Sequence, residues 1–205
     1  MRRKTVRMAG TGLIAVLVVF IAGAIYYILT AGGESLPVAG QAPDFTATNL
    51  DDRTVKMSDL NGKIRLVTWF YTHCPDECPL TASYMTQIQN QLKQEGLFGK
   101  KVVFISISID PKGDTRAAMQ EFAREHSADL GGWYFLQPGK DTVKLMQEWG
   151  IQAKPGQGAA QLEHVIRTDL VDSHGNIRKS YNTAELPVQE ILGDIHGLLT
   201  RSSWS

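Results

Sequence analysis

The chain has 205 residues, 21 basic and 21 acidic, so its formal net charge is zero, and 43% of it is hydrophobic. That length suits one domain of ordinary size plus an attachment, and the balanced charge leaves no basic footprint for nucleic acid.

The attachment comes first. Arg2, Arg3, Lys4 and Arg7 precede a stretch without charge over residues 8–33, rich in Leu, Ile, Val, Ala and Phe. About 20 apolar residues span a bilayer's hydrocarbon core, so residues 8–29 suffice for a transmembrane helix. The four cations hold its start in the cytoplasm and place everything after residue 33 outside, with Tyr26 and Tyr27 at the outer interface. A cleavable signal peptide is the rival, with Ala31-Gly32-Gly33 as a small-residue cleavage region. Its apolar core is usually shorter, so an uncleaved single-pass anchor is the favoured reading. No cysteine lies nearby to carry a lipid. Without the four cations the rest of the chain carries 17 basic against 21 acidic residues, a mildly acidic balance. The expected organisation is an anchor over 1–33, a tether over 34–43 and a folded domain over 44–205 outside the cytoplasm.

Residues 46–49 and 54–57, around the turn Asp51-Asp52, predict a small hairpin, with Ser58 capping a turn that ends at Gly62. The nearly continuous apolar run 64–71 predicts a central strand buried on both faces. A helix follows from Cys78 to about Glu95, with Leu80, Tyr84, Met85, Ile88 and Leu92 inward and Gly96 as its stop. Residues 101–109 form the second strong strand, and Asp110-Pro111-Lys112-Gly113 a turn. Asp114 is expected to cap a helix over 115–126 whose inward positions are Ala118, Met119, Phe122 and Ala123. Then come a short strand at 133–136, a helix at 141–149 and a loop at 154–161 containing Pro155, Gly156 and Gly158. Strands at 165–171 and 177–181 around a turn at 173–176, and a helix at 187–199, close the chain. Alternating β and α elements that end in a hairpin predict a layered α/β domain with a mixed central sheet flanked by helices.

The chemistry concentrates in Tyr71-Thr72-His73-Cys74-Pro75-Asp76-Glu77-Cys78-Pro79, which holds the chain's two cysteines at the end of the first buried strand. Pro75 suits a first helical position and Asp76 and Glu77 a first turn. Cysteines four apart on a helix share a face, with Cβ atoms about 5–6 Å apart. Their sulfurs can converge on a soft metal ion or, with adjustment, close a disulfide. A purely structural bridge is the bland alternative, but one closing so short a loop restricts the unfolded chain very little. A helix start lowers a thiol's pKa while Asp76 and Glu77 oppose that, and the sequence leaves the direction open.

Ala42-Pro43-Asp44-Phe45 and Leu60-Asn61-Gly62-Lys63, ahead of a strand ending in cysteines, resemble the thioredoxin and peroxiredoxin superfamily. Within it, the cysteine stretch, Ser106-Ile107-Ser108-Ile109-Asp110-Pro111-Lys112-Gly113-Asp114-Thr115 and Trp133-Tyr134-Phe135-Leu136 resemble the Sco/SenC family. The three-residue spacer separates the cysteines from the two-residue spacing of ordinary thioredoxins. The resemblance implies a thioredoxin-like fold and copper, as Cu(I) or Cu(II), bound by Cys74, Cys78 and a distant histidine, matched here by His164. It further implies a part in metallating the CuA centre of cytochrome c oxidase, with the subunit carrying that site as partner and other copper carriers or thiol reductants alongside. Two departures stand out: Val165 follows the histidine where Ser is usual, and His174-Gly175 replaces an Asp-Gly turn. Because His164 lies beyond the Gly-rich loop, a hinged third ligand is expected.

The remaining histidines read more plainly. His73 is an alternative ligand but more a tuning residue, His126 a helix-ending imidazolium, and His174 and His196 solvated or edge residues. Asp110 forms its turn, and Trp69 and Phe70 form core and wall of the site. A second function, from another class, is a thiol-disulfide reductase of exported acceptor cysteines, in which Cys74 and Cys78 are a redox-active dithiol and no copper is delivered. A thiol peroxidase is weaker, since residues 69–85 lack the arginine such sites place by the thiolate.

Overall fold

The computed structural model describes residues 21–23, 36–151 and 167–202. In chain order its strands are β1 (Gly40–Gln41), β2 (Thr46–Thr48), β3 (Thr54–Lys56), β4 (Ile64–Phe70), β5 (Val102–Ser108), β6 (Trp133–Leu136), β7 (Thr168–Val171) and β8 (Asn176–Tyr181). Its α-helices are α1 (Glu77–Gln94), α2 (Arg116–Glu125), α3 (Thr142–Glu148) and α4 (Val188–Ser202), with short 3-10 turns at Met57–Leu60 and Gly139–Asp141. The chain divides into the units Met1–Ser35 and Leu36–Ser205. Of the first, only residues 21–23 are described, and they are helical. The expected anchor therefore falls almost wholly outside the described residues. Among those that are described, no helix is long and apolar enough to cross a membrane.

Six strands form one sheet in the order β1-β8-β7-β4-β5-β6, and β2 and β3 form a separate hairpin. β4, β5 and β6 run parallel, and β7 joins β4 antiparallel, so the sheet is mixed as its sequence pattern predicts. All seven residues of β4 and all seven of β5 are buried. Alternation sends successive side chains to opposite faces. Leu66 and Phe70 enter a core with Met85, Ile88 and Leu92 of α1, Phe122 of α2 and Ile191 and Ile195 of α4. Val67 and Trp69 enter the other, with Met57, Leu145, Met146 and Trp149. The result is a sheet covered on both faces, each fully buried Leu, Ile or Phe contributing roughly 1.5–3 kcal/mol.

Local signals explain the helix ends, with three departures from expectation. Gly96 (φ 69°) ends α1 in a Schellman arrangement: Leu97 N–H donates to the Leu92 carbonyl (2.9 Å) and Gly96 N–H to the Lys93 carbonyl (3.0 Å). Leu80 is 38% exposed rather than inward, because the face that meets the sheet passes through Thr81, Ala82 and Met85. Ser58 sits inside its 3-10 turn rather than capping it, its N–H held by Asp44 Oδ1 at 2.9 Å. The cap of α2 is Thr115, whose Oγ1 accepts from Ala118 N–H at 3.2 Å, and not Asp114, whose side chain points inward.

Candidate metal centre and dithiol site

β4 ends at Phe70, whose carbonyl accepts from Ile109 N–H (3.0 Å), so the chain leaves the sheet beside the end of β5. There it turns: Cys74 N–H donates to the Tyr71 carbonyl at 3.3 Å. Helix α1 begins only at Glu77, with Asp76 at the cap position and no side-chain bond from it. Pro75 and Cys74 therefore precede the helix. The two cysteines do not share a helical face; Cys78 lies in the first turn and Cys74 in the loop before it. What joins them is a hydrogen bond from Cys78 N–H to Cys74 Sγ at 3.2 Å. The sulfur thus satisfies one of the amides that every helix start leaves without an internal partner.

Both cysteines are free; Cys74 is 7% exposed and Cys78 half-buried. Glu77 Oε2 stands 3.9 Å from Cys74 Sγ. Burial pushes the Cys78 thiol well above its ordinary range, the hydrogen bond with Cys74 adds to this, and a bond from the Tyr71 backbone opposes it. Cys78 therefore rests protonated at neutral pH, an outcome set first by burial rather than by the helix dipole. Tyr71 is pushed up to about 12, by burial first and then by its hydrogen bond to Cys74 and the charges of the cysteines and Glu77.

Beneath the loop lies a carboxylate that single-sequence reasoning assigns to a helix cap. Asp114 is fully buried. Its Oδ1 accepts from Thr72 N–H and from Thr72 Oγ1, both at 2.7 Å, and its Oδ2 accepts from Ser108 Oγ at 2.6 Å. The turn before it is built by Asp110, as expected: Asp110 Oδ1 accepts from Lys112 N–H (3.2 Å) and Gly113 N–H (3.0 Å). A Cβ at Gly113 would fall 2.2 Å from Asp110 Oδ2, so a larger residue there would have to push that carboxylate aside.

His73 is exposed, and its Nδ1 lies 3.2 Å from Thr72 Oγ1. His126 ends α2, but its imidazole packs on Phe122 with ring centroids 4.5 Å apart, and burial lowers its pKa. It is thus biased toward the neutral form, against the expected imidazolium. His196 pairs with Glu95 at 2.7 Å on the surface, and His174 lies in the β7–β8 turn. Trp69 and Phe70 are buried in opposite cores.

His164 and its loop lie outside the described residues, as does Val165. Where the chain resumes, Arg167 Nη1 donates to the Trp149 carbonyl (3.2 Å) and Arg167 Nε pairs with Asp169 Oδ1 (2.8 Å). Trp149 Nε1 donates to Asp169 Oδ2 (3.0 Å). These bonds tie the end of α3 to the start of β7. Thr168 of β7 faces Thr68 of β4 in antiparallel register, so the chain enters β7 at the end of the sheet from which the cysteine loop departs. Among the described residues no three His, Cys, Asp or Glu side chains converge to hold a metal; the dithiol supplies two donors.

The SCO1/SenC family model matches residues 35–200. The chain belongs to the SCO1/SenC family. The SCO1 protein homolog of Bacillus subtilis (strain 168) is 30% identical over 187 residues, which cover 87% of this chain and 95% of that one. Among solved structures the fold matches that of BsSco, a member of the Sco family of cytochrome c oxidase assembly proteins with a disulfide switch. The TM-score is 0.68 at 28% identity, over 80% of this chain and 96% of that one. It also matches Bradyrhizobium japonicum ScoI with copper bound, with a TM-score of 0.63 at 24% identity over 77% and 99% of the two chains. The α/β sandwich described above is thus the thioredoxin-like fold of this family.

Proposed function

We propose that this protein is a membrane-anchored copper carrier that helps to metallate the CuA centre of cytochrome c oxidase, holding its cargo through Cys74, Cys78 and His164. The observation that carries this reading is the meeting of two free cysteines at the end of β4, joined by the 3.2 Å N–H to sulfur bond. Two thiolates suit Cu(I), and an added imidazole serves both Cu(I) and Cu(II). The entry of β7 beside that sheet end supports a histidine a few residues upstream of Thr168 as the third donor. Family membership supports copper and the oxidase subunit carrying CuA as cargo and partner, since a relative belongs to the oxidase assembly proteins and another has copper bound. Oxidation of the two thiols to a disulfide, releasing two protons and two electrons to an acceptor, removes both soft donors. Redox state and copper loading are thereby coupled.

Anaerobic copper titration of the reduced chain tests this. One tight equivalent is expected, lost in Cys74→Ser and Cys78→Ser, with Cu(II) binding markedly weakened in His164→Ala. Weak binding indifferent to His164 would instead favour a dithiol reductant. The basic start and uncharged stretch over residues 8–33 support single-pass anchoring with the domain outside the cytoplasm. Protease added to intact spheroplasts should then digest residues 36–205, and protection would overturn the topology.

A further inference from the structure

We propose that Asp114 is a positioning residue for the dithiol loop, acting through Thr72; this rests on the reading that Cys74 and Cys78 are the working pair. Asp114 is fully buried, and its three side-chain partners are neutral donors: Thr72 N–H, Thr72 Oγ1 and Ser108 Oγ. Burying a carboxyl among neutral partners is costly, and a helix cap would not need it, since Thr115 already serves. What the carboxyl secures is Thr72, gripped at both backbone and side chain two residues before Cys74.

The grip is itself held rigidly. Asp114 N–H donates to the Asp110 carbonyl (2.9 Å), and the Asp114 carbonyl accepts from Gln137 Nε2 (2.8 Å). Ser108 ends β5, directly opposite Phe70 of β4. The carboxyl is therefore anchored to the sheet on one side and to a tight turn on the other, and it transmits that rigidity to the loop. Because the Thr72 hydroxyl gives its hydrogen to Asp114, its oxygen faces His73 Nδ1 at 3.2 Å as an acceptor. A site geometry supported by such an outer contact is lost when the support is cut, even though every donor atom remains.

The test compares the reduced full chain with Asp114→Ala, Asp114→Asn, Thr72→Val, Thr72→Ser and the Asp114→Ala/Thr72→Val pair. Two readouts are used: peptide-resolved iodoacetamide alkylation of Cys74 without copper, and Cu(I) competition against bicinchoninate. Losing the three-bond grip in Asp114→Ala should weaken Cu(I) binding about tenfold and, by freeing buried Cys74, speed its alkylation by a similar factor. Thr72→Val should shift both in the same direction by about threefold, and Thr72→Ser should restore them. In the Asp114→Ala background Thr72→Val should add nothing. Unchanged Cys74 alkylation in a folded Asp114→Ala chain, or full additivity of the pair, would overturn the proposal. If Asp114→Ala fails to fold, Thr72→Val, which cuts the same side-chain bond, decides, and unchanged Cys74 alkylation in it overturns the proposal; Asp114→Asn keeps an oxygen for Thr72 and should stay near the parent. A parent chain that binds no copper would sink the functional reading, while the alkylation series would still decide the role of Asp114.

Discussion

Asp172→Asn tests how the hairpin that returns β7 to β8 is held. Asp172 is 5% exposed and collects four donors. Its Oδ1 accepts from His174 N–H and Asn176 N–H, both at 2.9 Å, and its Oδ2 from Asn176 Nδ2 (3.2 Å) and Arg178 Nη1 (3.0 Å). An asparagine oxygen can keep the two backbone bonds. Its amide nitrogen must then replace Oδ2, which removes the other two and sets a donor against donors. One lost bond is to a guanidinium, worth about 1.5–3 kcal/mol, and the other is neutral, worth about 1 kcal/mol, so the variant should lose roughly 2–4 kcal/mol at pH 7. Burial pushes this carboxyl up, but the bonds from Asn176, Arg178 and His174 outweigh it and hold its pKa below the ordinary value. A depressed carboxylate stabilises above the unfolded value near 3.9 and ceases to as pH falls through the folded one. Urea unfolding of residues 36–205, followed by tryptophan fluorescence at steps from pH 7 to 3, should therefore show a gap between parent and variant that narrows below pH 4. A gap absent at pH 7, or equally wide at pH 3, would refute the reasoning.

The other expectations can be measured on the same material. On the proposed ligand set Cu(I) displaces the proton that burial holds on Cys78, so apparent affinity from chelator competition should climb between pH 6 and 8, by up to about tenfold per unit for each proton released. Gly132→Ala would set a Cβ 2.8 Å from Gly99 Cα and 2.6 Å from Phe98 Cε1, backbone and ring that cannot both yield, and should cost at least about 2 kcal/mol in a thermal melt. Gly193→Ala in α4 meets nothing within 4 Å and should instead add roughly 0.5–1 kcal/mol in the same assay. Tyr181 donates to Asp194 Oδ2 at 2.6 Å, and burial and that carboxylate raise its pKa. Its contribution is complete below the unfolded value near 10 and fades above it, so the parent should lose stability between pH 10 and 11 by an amount that Tyr181→Phe does not.

What the sequence discloses here is whatever has a local period. β4 and β5 are legible because a continuous β-branched run has one comfortable environment, the centre of a sheet covered on both faces. α1 is legible from the spacing of Met85, Ile88 and Leu92, and its end from Gly96. The cysteine pair is legible from its spacing and its place after β4. The errors fall where a long-range partner decides. Thr72 and Asp114 are 42 residues apart, and nothing local distinguishes a buried Asp114 from a capping one when Thr115 stands next to it. Leu80 is apolar and in phase with Tyr84, yet the sheet meets α1 along Thr81, Met85 and Ile88, and a helix has room for only one such face. His126 sits where a dipole would welcome a charge, but the ring of Phe122 takes it out of water first.

The placement of Cys74 before the helix bears directly on how one site could serve both copper and disulfide chemistry. Two cysteines four apart within a helix hold their Cβ atoms about 5–6 Å apart, while a disulfide needs about 3.8 Å, so closing one there would distort the first turn. Here only Cys78 lies in α1, and Cys74 rides on the preceding loop, linked to the helix by the Cys78 N–H to sulfur bond and the Glu77 contact. A disulfide can form by moving Cys74 rather than the helix, at the cost of those contacts and of its bond with Tyr71. Copper, whose ligands need not approach as closely as bonded sulfurs, can be held with the loop where it is. Oxidation of residues 36–205 should accordingly perturb amide NMR resonances from Tyr71 to Cys78 and leave those of Thr81 to Leu92 in place. Shifts spread along α1 instead would mean that the helix, not the loop, absorbs the change, and the coupling would then require a rearrangement of the core packed beneath Met85 and Ile88.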